Sequence, residues 1–413
     1  MKFRSRIKVF EHQYLKIGEE GFEQTHFDRL VYYNELHENK YFTAGHRKIK
    51  FTNYVGVLQV GNLTIEILPK ADNSSDYDKW THALLTMLFI CRKISVRSLT
   101  EAYVKIRSAS ILDIIFESFL EEVEYLISTG LVKGYRFKSS NKTTLKGRIL
   151  FNQHLMKNIV HREQFFIRYE SYDYNIVWNK ILKKALVIML GILHNATLRS
   201  RTEKLLWYFD DIDSRRINEK TFLNLRYNRK TEGYRKSIKL AELIILSYSP
   251  DIQFGRNNVL AVLFDMNSLF EEYVYRILKK EEQVYHKINL KIEAQLSKFF
   301  WNKRKIRPDI ILEYGEVDTR KVIIDTKWKM LTDYTPSDDD LRQMYAYNLY
   351  FDCEKSVLLY PMTNLVNQEP VYYEPALAVA KEHACQLIFA DLFDNSGNAR
   401  KSIAVDLLRS VLG

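Results

Sequence analysis

Arg307-Pro308-Asp309-Ile310-Ile311-Leu312, a turn through Tyr314-Gly315-Glu316, and Lys321-Val322-Ile323-Ile324-Asp325-Thr326-Lys327-Trp328-Lys329 form the stretch that decides how this chain is read. Each arm is a short apolar run rich in β-branched residues and bounded by turn formers, so the two read as adjacent strands. Each strand carries a carboxylate. Asp325 and Lys327 lie two residues apart and project to one face, directly after an apolar run that belongs deep in a sheet. An ionised Asp and Lys in that position are costly unless they are paired or coordinate a cation. With Asp309 pointing the same way, the two carboxylates make a hard-oxygen site suited to Mg²⁺. Such an ion binds a scissile phosphate and acidifies an attacking water, while Lys327 orients that water or stabilises developing charge. The competing reading is a cross-strand salt bridge. Related fragments arise by chance in a chain this charged, as Glu38-Asn39-Lys40 and Pro250-Asp251 illustrate. Only around residues 307–329 do Pro-Asp on one strand and Asp-x-Lys on the next occur together across a turn.

The flanks of this stretch fit the same pocket. Downstream, Asp340-Leu341-Arg342-Gln343-Met344-Tyr345-Ala346-Tyr347 reads as a helix with Gln343 and Tyr347 on one face at i, i+4. A Gln there holds either a base or the catalytic carboxylates, or else belongs to a capped surface helix. Upstream, Leu269-Phe270-Glu271-Glu272-Tyr273-Val274 sets Glu271 beside an apolar helical stripe, as a metal-site contributor or a boundary residue. Lys298, Lys303, Arg304, Lys305 and Arg307, interleaved with Phe299, Phe300 and Trp301, lead straight into Asp309. Cations and aromatics in that arrangement suit phosphate contact and base stacking; the plain alternative is a charged hairpin tip.

Further out, the pattern predicts an α/β chain in two parts. The first seventy residues read mainly as strands, with a hairpin turn at Gly61-Asn62 and with Ile65 and Ile67 alternating with Thr64 and Glu66. Helical periodicity follows over Tyr77 to Ser128, stopped at Gly130, and again over Asn175 to His194. Lys138 to Arg148 reads as a basic connector. A boundary is expected within Ser247 to Gly255, separating an N-terminal part, 1–250 (β-rich head 1–75, helical connector 76–250), from a C-terminal part, 251–413. The latter opens with a helix over Val259 to Lys280. Strands around Gln283 to Ala294, Arg307 to Tyr314 and Lys321 to Trp328 come next, then a helix over Asp338 to Tyr350 and a strand over Ser356 to Tyr360, a mixed sheet flanked by helices.

The bulk numbers set limits. A chain of 413 residues exceeds one ordinary hydrophobic core. Its net charge of +11 and pI near 9.2 favour a polyanionic partner. Cys91, Cys353 and Cys385 are far apart and have no metal-ligand spacing, so they read as buried apolar residues rather than a disulfide or zinc framework. The longest apolar runs, Leu84 to Cys91 and Ala185 to Leu193, fall short of a bilayer span, and Met1 to Phe10 is charged, so no membrane partner and a cytoplasmic location are expected.

Arg307-Pro308-Asp309, Asp325-Thr326-Lys327-Trp328-Lys329 and Gln343-Met344-Tyr345-Ala346-Tyr347 together resemble the PD-(D/E)xK nuclease superfamily, and specifically the McrC family of modification-dependent, 5-methylcytosine-specific restriction systems. Tyr54 to Ala71, Leu145-Lys146-Gly147-Arg148 and Phe264 to Glu271 share that resemblance. It implies a restriction-endonuclease-like mixed-sheet domain at the C-terminus. It further implies Asp309, Asp325 and Thr326 as metal positions for Mg²⁺ or Mn²⁺, Lys327 as the catalytic lysine, and Glu271, Gln343 and Tyr347 in support. Lys303, Arg304, Lys305, Arg307 and Lys329 are expected at double-stranded, methylated DNA. The implied partner is McrB, an AAA+ GTPase stimulated by the N-terminal half, and accordingly the chain has no G-x-x-x-x-G-K-[ST] phosphate loop of its own. A non-catalytic activator and DNA clamp, the nuclease subunit of a related system with an unmodified target, and a stand-alone repair nuclease are the rival readings.

Overall fold

A computed structural model describes residues 5–72, 76–94, 110–249, 259–285, 289–316, 319–331, 333–361, 366–374, 382–394, 400 and 402–412. The chain divides into two compact units, one of residues 1–111 with 261–413 and one of residues 112–260. The expected break near residue 250 falls partly outside the described residues. The division differs from a simple N-terminal/C-terminal split because the β-rich head folds with the C-terminal region.

The reason lies in the hairpin Tyr54–Val60/Leu63–Leu68. It is antiparallel with Val60 opposite Leu63, and Gly61 takes the positive φ that the two-residue turn needs. Ser5–Phe10 pairs parallel to Leu63–Leu68 on one side, and the strand Val259–Asp265 lies beside Tyr54–Val60 on the other. Gly56 permits that approach: at φ +136°, a Cβ would sit 2.2 Å from the Val262 carbonyl oxygen. The predicted alternation along Leu63–Leu68 does not appear as one wet and one dry face, since all six residues are buried. Glu66 is fully buried, accepting from Arg6 Nη2 (2.7 Å) and from the Ile111 backbone N–H (2.9 Å).

The helix expected over Val259 to Lys280 is instead the strand Val259–Asp265 followed by the helix Met266–Glu281. Val259-Leu260-Ala261-Val262-Leu263-Phe264 is an unbroken apolar run whose period is ambiguous. Asp265 sets the change by capping the helix, its carboxylate accepting from the Ser268 N–H at 2.8 Å.

The first unit also contains a six-stranded mixed sheet ordered Lys291–Ala294, Ile310–Tyr314, Arg320–Thr326, Lys355–Pro361, Ala384–Ala390, Val371–Tyr372. Ile310–Tyr314 and Arg320–Thr326 are antiparallel, whereas Arg320–Thr326, Lys355–Pro361 and Ala384–Ala390 run parallel. The helix Asp338–Phe351 connects the first parallel pair and packs Met344, Tyr347 and Phe351 against Ile311, Ile323, Leu358 and Phe389. Of the strand expected over Gln283 to Ala294, only Lys291–Ala294 forms, residues 286–288 lying outside the described set.

In the second unit the helices Val177–Ile192 and Arg235–Leu246 pack together, and Gly134–Lys142 pairs residue for residue with Phe165–Asp173. Lys138 to Lys142, expected in a basic connector, therefore belongs to a strand; its alternating partly buried and exposed residues fit a ribbon covered on one side. Cys91, Cys353 and Cys385 are buried free thiols. Among the described residues no helix is long and apolar enough to cross a membrane.

Candidate active site

The end of Arg320–Thr326 gathers the expected polar residues. Asp309, one residue before Ile310–Tyr314, receives two hydrogen bonds on Oδ2, from the Thr326 backbone N–H (2.8 Å) and Thr326 Oγ1 (2.9 Å). Thr326 thus orients the first carboxylate. Asp325 is 2% exposed, and Lys327 Nζ lies 2.6 Å from its Oδ2. Among the described residues no hydrogen bond of good angle reaches that oxygen. Burial and, next, the charge of Asp309 push the Asp325 carboxyl up to about 7 against the pull of Lys327.

Lys327 is held from three sides, by Asp325, by Asp340 Oδ1 (3.3 Å) and by Gln343 Oε1 (3.0 Å). Burial opposes its charge, but Asp325 and Asp340 outweigh that and raise its pKa, so it stays an ammonium. Gln343 then donates through Nε2 to Tyr347 Oη (2.8 Å), and Tyr347 Oη donates to the Arg307 carbonyl (2.9 Å). The relay runs from the lysine along one helix face to the chain entering Asp309. Gln343 holds the lysine rather than a carboxylate. Burial, followed by the charge of Asp325, raises the Tyr347 phenol and keeps it a donor.

Asp340 is a site residue that sequence reasoning passed over. It is 8% exposed, bridges Lys327 and Lys329 (2.5 Å to Lys329 Nζ), and is held low, against its burial, by Lys329, Ser337 and Lys327. The available signal was its spacing, three and seven residues before Gln343 and Tyr347. Lys329, expected at DNA, is engaged with Asp340. Lys303, Arg304, Lys305 and Arg307 are exposed on the approach to Asp309.

Glu271 stands on the helix Met266–Glu281 and accepts from Gln295 Nε2 (2.8 Å), whose backbone N–H donates to the Asp309 carbonyl (2.9 Å). Burial and then Asp309 raise its pKa. Trp328 fixes the strand end from behind. Its Nε1 donates to Glu11 Oε1 (2.7 Å), and its ring meets Phe270 and Trp80 edge-on at 5.1 and 6.3 Å. Burial pushes Glu11 up to about 7 despite this hydrogen bond and one from the Lys70 backbone N–H (2.8 Å).

The donor set fits a hard divalent cation. Asp309 and Asp325 crowd negative charge that an ion relieves, and both offer oxygen. Among the described residues no group of three His, Cys, Asp or Glu side chains forms a ready-made cage. Two carboxylates are a donor number that Mg²⁺ accepts, since that ion is held by one or two carboxylates while keeping water and substrate oxygens.

Residues 49–361 match the family described as McrBC 5-methylcytosine restriction system component. Two structures from Thermococcus gammatolerans share the fold. One is a chain of the refined half-complex from a tetradecameric assembly of McrB AAA+ hexamers with bound McrC, 18% identical with a TM-score of 0.70, covering 98% of this chain and 99% of that one. The other is from the cryo-EM structure of the McrBC complex, 19% identical with a TM-score of 0.50, covering 67% of this chain and 88% of that one. No curated protein is significantly similar.

Proposed function

This chain belongs to the McrBC 5-methylcytosine restriction system component family, and from that premise we propose that it is the DNA-cutting subunit of such a system, a Mg²⁺-dependent PD-(D/E)xK endonuclease. The observation that carries the reading is the pairing of buried Asp325 with Lys327 beside Asp309, the residue that leads into the neighbouring strand. A structural ion pair needs neither a second carboxylate crowding the first nor a lysine shared among three acceptors.

In this reading Asp309 and Asp325 hold the ion. When bound, it supplies Lewis acidity toward the scissile phosphate and makes water a better nucleophile near neutral pH. Thr326 keeps Asp309 turned toward the ion site. Lys327, protonated and fixed by Asp340 and Gln343, offers N–H donors to the charge that develops as water adds to phosphorus. One P–O bond breaks, and the leaving oxygen takes up a proton. The relay through Gln343 and Tyr347 keeps Lys327 and the strand before Asp309 in mutual register. Lys303, Arg304, Lys305 and Arg307 bind phosphates ahead of the site and make affinity fall with salt.

We further infer that the chain works with an AAA+ motor of the McrB type, which the Thermococcus gammatolerans assembly contains. The deciding experiment is cleavage of methylated and unmethylated plasmid with Mg²⁺, with and without such a motor and GTP. Cutting that requires motor, nucleotide, methylation and Asp325 is the expected result. Cutting that survives Asp325→Ala overturns the site, and a motor stimulated by a chain that never cuts identifies an activator and clamp.

A further inference from the structure

The hairpin leading into Asp309 carries more than positive charge. Lys298–Trp301 and Arg304–Ile306 pair antiparallel around a two-residue turn with Asn302 at φ +51°. Phe300 packs against Tyr350 with ring centroids 5.2 Å apart, and Lys298 Nζ donates to the Tyr350 carbonyl at 2.9 Å. These contacts pin the hairpin to the helix Asp338–Phe351, the same helix that presents Asp340, Gln343 and Tyr347. Phe299 and Trp301 are 68% and 66% exposed, and among the described residues no other ring packs on either. Each carries a cation over its face instead, Lys305 Nζ at 5.1 Å from the Phe299 centroid and Arg304 at 5.7 Å from that of Trp301.

We propose that Phe299 and Trp301 form a stacking platform for unpaired bases of the DNA strand passing the candidate site, so that the chain engages its substrate in a locally opened form. This rests on the DNA-cutting reading and specifies the substrate for it. Two large rings left in water beside a site mark an interaction surface. Their setting selects the partner, because residues 297–308 contain five Lys or Arg and no Asp or Glu. A polyanion complements that run; an apolar protein face or a second copy of this basic hairpin does not. Stacking requires a free base face, which an intact duplex hides and an opened strand offers. The bulge between Phe299 and Trp301 suits this role, since bulges redirect side chains next to active sites. Bound bases then share the rings with Lys305 and Arg304, whose ammonium and guanidinium groups lie where the flanking phosphates follow.

The test is equilibrium binding of the full chain, in EDTA so that nothing is cut, to fully paired duplexes and to duplexes with a short central unpaired segment containing 2-aminopurine. The wild type is expected to bind the opened duplex more tightly and to change the 2-aminopurine fluorescence. Phe299→Ala/Trp301→Ala is expected to lower affinity for opened DNA about tenfold or more, abolish that signal and leave the salt slope unchanged. Lys303→Ala/Lys305→Ala is expected to weaken binding to both DNAs alike and to reduce the salt slope by about one to two. Trp301→Phe, which keeps a ring, should retain most of the signal and guards against loss through misfolding. The proposal is overturned if the double ring variant, folded by circular dichroism, binds opened DNA like the wild type, or if its only defect is a change in sedimenting mass. Because no cutting is measured, a chain that stacks bases yet never cleaves with its motor and Mg²⁺ leaves the platform standing and removes the nuclease reading alone.

Discussion

Two buried acids on two buried strands invite comparison. Glu66, in the N-terminal sheet, and Asp325, in the six-stranded sheet, are 0% and 2% exposed. Glu66 has a partner on each oxygen, the Arg6 guanidinium and the Ile111 N–H. Asp325 shares its surroundings with Asp309 and Asp340 and is raised to about 7 even with Lys327 at 2.6 Å. A satisfied buried carboxylate ties elements together, whereas a crowded one stores electrostatic cost that an arriving cation can release. The difference separates architecture from chemistry more sharply than burial does.

The strongest way to break this contrast is Asp325→Ala. Plasmid cleavage in the presence of motor, GTP and Mg²⁺ should drop by at least about a thousandfold, with circular dichroism unchanged; cleavage within tenfold of wild type would erase the distinction. Glu66→Ala should do the reverse. It strands Arg6 and the Ile111 N–H and should cost about 3 kcal/mol in urea unfolding, while specific activity of the folded fraction stays near wild type. The pH dependence sharpens the contrast further. Because Asp325 is raised in the folded chain, its contribution to stability is fully present below about 4 and is lost as pH rises through about 7. Without metal, the wild type should therefore lose on the order of 2 kcal/mol between pH 5 and pH 8 relative to Asp325→Asn, and Mg²⁺ should restore it at pH 8. Equal pH profiles for the two proteins would show that Asp325 is not strained. The smallest effect expected is that of Gln343→Ala, which frees Lys327 on one side and should slow cleavage about tenfold, without altering salt-dependent DNA affinity.

Much of this was legible along the chain for a local reason. Asp309, Asp325 and Lys327 stand at the ends of apolar strands, and polar groups there need an explanation wherever the strands lie. The Gly61-Asn62 hairpin and the helix Asp338–Phe351 follow from turn chemistry and from Ser337, whose side chain caps the helix. Asp340 was not singled out despite its spacing to Gln343 and Tyr347: it is the third of three consecutive aspartates in a first helical turn, where acids are ordinary. Only the seating of the helix on the sheet leaves the side chains of Asp338 and Asp339 84% and 93% exposed and turns that of Asp340 inward, 11% exposed, between two lysines.

By itself the sequence determined many of the elements and singled out candidate residues for chemistry, because strand alternation, capping and turn preferences act over a few residues. The tertiary structure alone decided which distant groups meet. Glu11 reaches Trp328 across 317 positions, and the β-rich head with the helix Tyr77–Ile90 folds with the C-terminal region, whereas residues 112–260 form a unit of their own. Such contacts are settled by the joint packing of whole faces, Tyr54–Val60 beside Val259–Asp265 with Gly56 at the crossing. No short window of sequence contains both partners of that packing.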